Sequence, residues 1–293
     1  MKTVLFTLIM VFIATLSVAQ NDTISKSDSA SYRIVKTNGD EIIAKIIKQD
    51  RREILVMTND GREMYIPQHV IKKIIPIKEE EYTNDGIFVG EDKFSTRYFI
   101  TTNGLPIKKG EHYIQWNLFG PDFQFGVGKN FGIGVMTTWM GAPIVVNAKK
   151  SFQINDNTQF AIGALVGTGT WAGPSFGGAL PFATLSFGNR RANIAFSGGY
   201  GSIWVDGTPG GRALGSVAAM IKMDKKLSFV FDSFILLPTQ DPDYSRSMVA
   251  LLIPGIRWHK EEGKAFQFGF TGVAVDGNLF PMPIPTVQWY RSL

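Results

Sequence analysis

The sequence predicts an all-β chain: an antiparallel up-and-down transmembrane β-barrel of about twelve strands, preceded by a small five-stranded β domain. Three observations predict it. The first is alternation: Phe266, Phe268 and Phe270 alternate with Gln267, Gly269 and Thr271, and Leu227, Phe229 and Phe231 with Ser228, Val230 and Asp232. Ile194, Phe196 and Tyr200 alternate in the same way with Asn193, Ala195 and Ser197. Successive strand side chains point to opposite faces, so each segment has one oily face and one small or polar face with almost no charge. Lipid outside and a lumen inside produce that pattern, whereas a soluble sandwich exposes charges. The second is the absence, after the N-terminus, of any run of about 20 apolar residues able to span a membrane as a helix. A membrane-integral chain must then close its backbone as a barrel. The third is an export signal at the start of the chain.

Residues 1–19 read as that signal peptide: Lys2, the apolar stretch Val4 to Leu16, then Ser17, Val18 and Ala19 before Gln20. The stretch is short for a spanning helix, which makes a retained anchor the weaker alternative. The chain has 0 cysteines, which excludes a lipid-modified cysteine, disulfides and thiolate metal sites. Residues 20–31, rich in Asn, Asp and Ser, read as a disordered start.

A compact β region follows over 32–77. Its strands are Tyr32 to Lys36, Glu41 to Lys48, Glu53 to Thr58, Glu63 to Ile66 and Val70 to Ile75. Asn38-Gly39 and Asn59-Asp60-Gly61 are turn sequences suited to positive φ, and Pro67-Gln68-His69 makes a corner. The strings "NGDEIIAKI", "EILVMTNDGREMYIP" and "HVIKKI" resemble the Sm-like small β-barrel. The resemblance implies an adaptor or docking module, periplasmic in an exported protein. The Sm family's RNA-binding residues do not appear here. Residues 78–97, charged and irregular, read as a linker.

Residues 98–293 read as the barrel. Alternation and turn signals give strands at 112–119, 122–129, 131–138, 143–150, 159–168, 178–187, 191–200, 212–222, 226–236, 247–257, 264–273 and 283–291. Twelve is an even number, as a bacterial single-chain barrel requires. Bent strand ends at 139–143 and 171–178 would reduce it to ten. Short charged connections (Lys129-Asn130, Asn155 to Asn157, Asn189 to Arg191, Asp224 to Lys226, Lys260 to Lys264) take turns with longer ones rich in Pro and Gly: 171–177, 201–211, 237–246 and 274–282. Short turns are periplasmic in this class, so both termini are expected in the periplasm. Tyr113, Trp139, Tyr200, Trp258, Trp289 and Tyr290 are candidates for an interfacial aromatic girdle, and Trp171 and Trp204 are expected on loops.

Asn103-Gly104-Leu105-Pro106 with Lys108-Lys109-Gly110-Glu111, the hairpin "FGVGKNFGIGV" and a proline-preceded last strand resemble an uncharacterised Gram-negative outer-membrane β-barrel family over 95–293. The resemblance implies a fold and an outer-membrane location, with no activity attached. Outer-membrane lipid and, during biogenesis, the barrel-assembly machinery are the implied partners. The chain ends at Leu293, where such barrels usually end on an aromatic residue.

Chemistry is sparse. A pI of 9.2 and a net charge of +5 come from scattered cations, with no basic helix or stripe for nucleic acid. They suit anionic headgroups, or a periplasmic protein or polyanion that the small domain binds. His69, His112 and His259 lack partners at metal-ligand spacing, and His259 beside Glu261 and Glu262 reads as part of a charged turn. No cofactor motif is present: Asp206 to Gly211 lacks the Lys-Ser/Thr and the helix of a phosphate loop. A rim enzyme needs a nucleophile, base and orienter, and no such constellation is visible.

The expected lumen lining is Gln115, Asn117, Gln124, Asn147, Asn193, Asp232 and Gln267, separated by glycines. Asp232 is expected to have a basic partner in the lumen. The function predicted is non-enzymatic: a passive channel or a structural and interaction platform with a periplasmic adaptor module. The alternatives are a soluble exported β protein binding a partner through its apolar face, and a lipid-acting outer-membrane enzyme.

Overall fold

The computed structural model describes residues 31–38, 40–77, 89–169, 176–206, 208–239, 247–261, 263–280 and 283–293. The expected signal peptide, residues 20–30, most of the linker and Trp171 lie outside these. The chain divides into two units, the first ending at Gly90 and the second running from Glu91 to Leu293.

The first unit is a five-stranded antiparallel sheet: β1 (Ser31–Lys36), β2 (Glu41–Gln49), β3 (Glu53–Thr58), β4 (Glu63–Pro67) and β5 (Ile71–Pro76), in the order β4-β3-β2-β1-β5. Alternate residues Ile34, Ala44, Ile54, Val56 and Ile66 form its core. Gly61 takes the positive φ of +79° that the β3–β4 turn demands, a conformation that residues with a Cβ rarely adopt. The corner at Gln68–Val70 is one turn of 3-10 helix. Strands β4 and β5 are the sheet's edges and share no ladder, so the ring expected of a small barrel is not closed by hydrogen bonds among the described residues.

The second unit is a closed barrel of twelve antiparallel strands. They are β6 (His112–Asn117), β7 (Pro121–Gly128), β8 (Phe131–Thr137), β9 (Ile144–Asn155), β10 (Thr158–Thr168), β11 (Phe176–Gly188), β12 (Ala192–Val205), β13 (Thr208–Lys222), β14 (Leu227–Leu236), β15 (Val249–Glu261), β16 (Lys264–Val275) and β18 (Ile284–Ser292). Each pairs with its neighbour in sequence, and β18 closes the ring on β6 through Gln288↔Asn117 to Ser292↔Tyr113. The two-residue β17 (Asn278–Leu279) folds back on β16 through a turn in which Asp276 and Gly277 have φ of 48° and 82°. Short turns gather at one end, with the β6 start and the β18 finish. The longer connections gather at the other, called here the loop end.

The barrel wall is uneven in height: β6 has 6 residues and β13 has 15. Residues 201–205 and 208–211, expected as loop, continue β12 and β13, and Trp204 is a strand residue paired with Pro209. Glycine and proline made this stretch read as loop, but a tight turn at Asp206 keeps the two strands in register. On the outer face Ile133, Phe152, Ile162, Phe196, Ile256 and Phe270 are exposed and form an apolar belt on the barrel wall.

Tyr113 and Tyr290 depart from the girdle. Both are 2% exposed and stand inside the barrel, because strand parity turns them to the lumen. Trp139, Tyr200, Trp258 and Trp289 are exposed, as girdle residues would be.

Candidate functional site

A twelve-stranded barrel is too wide for its own side chains to fill and narrower than a 16-stranded porin. The chain fills this one with its own backbone. Residues 91–111, just before β6, enter from the turn end, reverse at Tyr98–Thr101 and return. The reversal is fixed by the Arg97↔Thr102 bridge and by Tyr98 N donating to Thr101 O at 3.1 Å. Asp92, Phe94, Ser95, Thr96 and Tyr98 are all 0–1% exposed. The last seven residues of the expected linker, 91–97, therefore belong to the barrel interior.

Every turn of this hairpin is held by a lumen-facing side chain. On the inward limb Arg257, with 0% exposure, donates to Asp92 Oδ2 at 3.1 Å, Phe94 O at 2.9 Å, Arg97 O at 2.6 Å and Gln267 Oε1 at 2.6 Å. Its guanidinium also lies 4.8 Å from the Tyr290 ring. Burial opposes ionisation of Asp92, but Arg257, His259 and Lys222 outweigh it and hold its carboxyl well below the usual carboxylate range. Phe94 packs between the rings of Tyr113 and Tyr290, at 5.7 Å and 5.0 Å.

At the apex, Asp232 accepts from Ile100 N at 2.6 Å, Thr101 N at 2.9 Å and Thr101 Oγ1 at 2.6 Å. Gln288 Nε2 donates to Phe99 O at 2.7 Å and Tyr290 Oη to Tyr98 O at 2.9 Å. The Phe99 ring lies over Gly255 and Gly269, where a Cβ would stand 2.5 Å and 2.6 Å from it. These two glycines are smooth floor for a ring.

On the return limb Lys149 Nζ donates to Thr102 Oγ1, Asn103 O and Leu105 O at 3.0, 2.9 and 3.0 Å. Arg190 clamps Glu111 with two bonds at 2.6 and 2.8 Å and reaches Pro106 O at 2.7 Å. Gly104 N donates to Ser186 Oγ at 2.7 Å.

Of the residues expected to line the lumen, Gln115, Asn193, Asp232 and Gln267 touch this hairpin directly. Gln115 donates to Phe99 O, Gln267 to Tyr98 O, and Asn193 accepts from Tyr98 Oη at 2.6 Å. Gln124 donates to Asp122, which pairs with Arg97. Asn147 faces a cavity beyond the apex. Asn117 does not serve the lumen: its Oδ1 accepts from Phe119 N and Gly120 N in its own turn, at 3.1 Å each.

Two expectations change. Asp232 meets the hairpin's backbone and Thr101 hydroxyl, with no salt bridge among the described residues, because three donors at the apex satisfy the carboxylate without a cation. The lumen is also not nearly uncharged: Asp122, Lys149, Lys222, Asp232 and Arg257 are all buried on the strands. Their alternation parity with Gln124, Asn147 and Gln267 was the available signal.

His259 is also corrected. It is a β15 residue facing inward, with Nε2 3.0 Å from Ser228 Oγ and 3.2 Å from Asp92 Oδ2. The trio has the residue types of a hydrolase, but the geometry is wrong. A base that relays a proton uses one ring nitrogen for the carboxylate and the other for the hydroxyl. Here both approach the same nitrogen, Ser228 is 0% exposed, and Asp92 is shared with Arg257.

No family model and no curated protein matches the sequence. Among solved structures, the chain is similar to a NanC porin with TM-score 0.44 and 9% identity, over 62% of this chain and 98% of that one. It is similar to outer-membrane expressed OmpT of Vibrio cholerae with TM-score 0.36 and 10% identity, over 92% of this chain and 100% of that one. Likenesses this distant bear on neither ancestry nor activity, and the barrel rests on its own closed ladder.

Proposed function

We propose that this is a non-enzymatic outer-membrane barrel whose lumen is stoppered by its own hairpin, and that it serves as a structural and interaction platform. The observation that carries this reading is the hairpin at 91–111, bound by Arg257, Asp232, Lys149 and Arg190 from different sectors of the wall. A passive channel would leave those groups facing water. The apolar outer belt supports membrane insertion, since exposed Ile, Val and Phe around a closed barrel match lipid. The N-terminal sheet is then the adaptor module, periplasmic together with both termini, taking a protein or polyanion as partner. The absence of a relay geometry at Ser228 and His259 disfavours the lipid-acting enzyme, and the outer belt disfavours the soluble alternative.

The test combines gel migration of boiled and unboiled protein from purified outer membranes with conductance in planar bilayers. A mobility shift and a silent bilayer are expected. Release into the soluble fraction without a shift would sink the membrane reading, and steady conductance from the intact protein would sink the stopper.

A further inference from the structure

Between the hairpin apex and the loop end lies a cavity of ≈ 130 Å³. Its walls are Ile100, Leu165, Leu180, Phe182, Leu214 and Phe234, apolar residues on the face that elsewhere carries amides and hydroxyls. These side chains make most of the cavity's surface apolar, and a benzene-sized group fits a space of about this volume.

The polar groups at its edge define what else the occupant carries. Lys149 has three protons and three acceptors from the hairpin, and Arg97 is paired with Asp122. Neither cation is available to an anion. Asn147, by contrast, lines the cavity: its amide nitrogen is packed over Gly134, out of an occupant's reach, which leaves the side-chain oxygen, bonded to no other described residue, to accept. A ligand that donates to this oxygen gains a hydrogen bond that an apolar molecule cannot make. A hydroxyl supplies that donor.

We infer that this cavity is a binding site for a small neutral amphiphile: a single ring or short alkyl chain carrying one hydroxyl, held by the apolar walls and by the side-chain oxygen of Asn147. The site depends on the stoppered lumen, whose apex forms its floor, and does not depend on which membrane holds the barrel.

The experiment uses the full-length protein in nanodiscs, which avoids free detergent tails, with benzyl alcohol, toluene and benzoate as probes in saturation-transfer NMR and displacement titrations. Benzyl alcohol is expected to bind, benzoate not to bind, and toluene to bind about tenfold more weakly than benzyl alcohol, the worth of one hydrogen bond donated to the Asn147 oxygen. Asn147→Leu, close in volume, is expected to erase the preference for the alcohol while toluene still binds. Leu165→Trp fills the cavity and is expected to abolish both. Equal binding of benzoate, or benzyl alcohol binding unchanged in Asn147→Leu, overturns the assignment. If Leu165→Trp fails to give the heat-modifiable form, the Asn147→Leu comparison decides alone. A negative result here with a silent bilayer leaves the stopper standing, whereas a conducting intact protein removes both.

Discussion

Arg257 is where the hairpin is most exposed to a single change. Arg257→Met keeps an unbranched stem and removes the guanidinium and its charge. Arg257 and Asp92 are both 0% exposed, and removing one member of such a buried pair destabilises by about 3–5 kcal/mol. Phe94 O and Arg97 O also lose their donor, at about 1 kcal/mol each. His259 and Lys222 remain near Asp92 and offset part of the loss. A net of about 4 kcal/mol is roughly a thousandfold shift in the equilibrium between docked and undocked hairpin.

The chain lends itself to measuring this because it has 0 cysteines. Ser95 is 0% exposed with a hydroxyl that makes no hydrogen bond, so Ser95→Cys is a mild probe placed inside the lumen. Maleimide is expected to label it slowly in the otherwise unchanged protein and up to roughly a thousandfold faster with Arg257→Met. Adding Asp92→Asn removes the stranded carboxylate and is expected to recover part of the protection, since losing both partners is milder than losing one. The reasoning fails if Arg257→Met leaves the labelling rate unchanged in a barrel that still shows the heat-modifiable form. Rapid labelling of Ser95→Cys alone would refute the stopper itself.

Three other outcomes are expected. Asp92 has its carboxyl held below the usual range in the docked state, so its contribution to docking is complete above the ordinary carboxylate pKa of about 4 and declines as the pH falls below it; labelling of Ser95→Cys before and after acid exposure reads this, and a loss of protection at neutral pH would contradict it. Asp232→Asn turns an amide N–H towards donors from Ile100 and Thr101, loosening the apex by about 1–3 kcal/mol, and brief conducting events in planar bilayers are expected; a silent bilayer with unchanged labelling would count against the apex contacts. Gly132→Ala places a methyl 2.9 Å from Ile107 Cδ1, overpacking the return limb by about 1–3 kcal/mol, and Ile107→Ala in the same chain is expected to relieve it, as judged by Ser95→Cys labelling.

The strands were legible because a strand's signal is local. Segment 131–138 matches Phe131–Thr137, and 264–273 matches Lys264–Val275 to within two residues, since period-two alternation is written in adjacent positions. The tight turns were legible for the same reason: Lys129 and Asn130 sit between two alternating runs and take φ of 50° and 57°. Lumen amides followed from parity. The hairpin was not legible. Tyr98 to Asn103 forms no ladder strand, and its partners lie far along the chain, Asp232 being 132 residues from Ile100 and Ser186 82 from Gly104. Lys149 and Arg257 were hidden differently: both fall inside the expected strands 143–150 and 247–257, but near their ends, where a cation reads as one of the chain's scattered charges.

The polar lining has a reason that does not involve a passing solute. A hairpin inserted into a barrel brings backbone groups that neither limb satisfies alone, and each buried one needs a partner. Tyr98 O, Phe99 O, Ile100 N, Thr101 N, Asn103 O, Gly104 N and Leu105 O are met one by one by Tyr290, Gln288, Asp232, Lys149 and Ser186. Amides and hydroxyls scattered singly suit this task, whereas a selective pore concentrates like charges into rings. The same groups would be satisfied by water if the hairpin left, so the wall does not need the hairpin in order to stay closed. What decides between docked and undocked is then concentrated in the charged pairs, Asp92 with Arg257, Glu111 with Arg190 and Arg97 with Asp122, because these become costly when half of the pair departs. The first two pairs lie towards the turn end, where the chain enters, and the third beside the reversal, so that the stopper is latched at its mouth and pinned again near its tip.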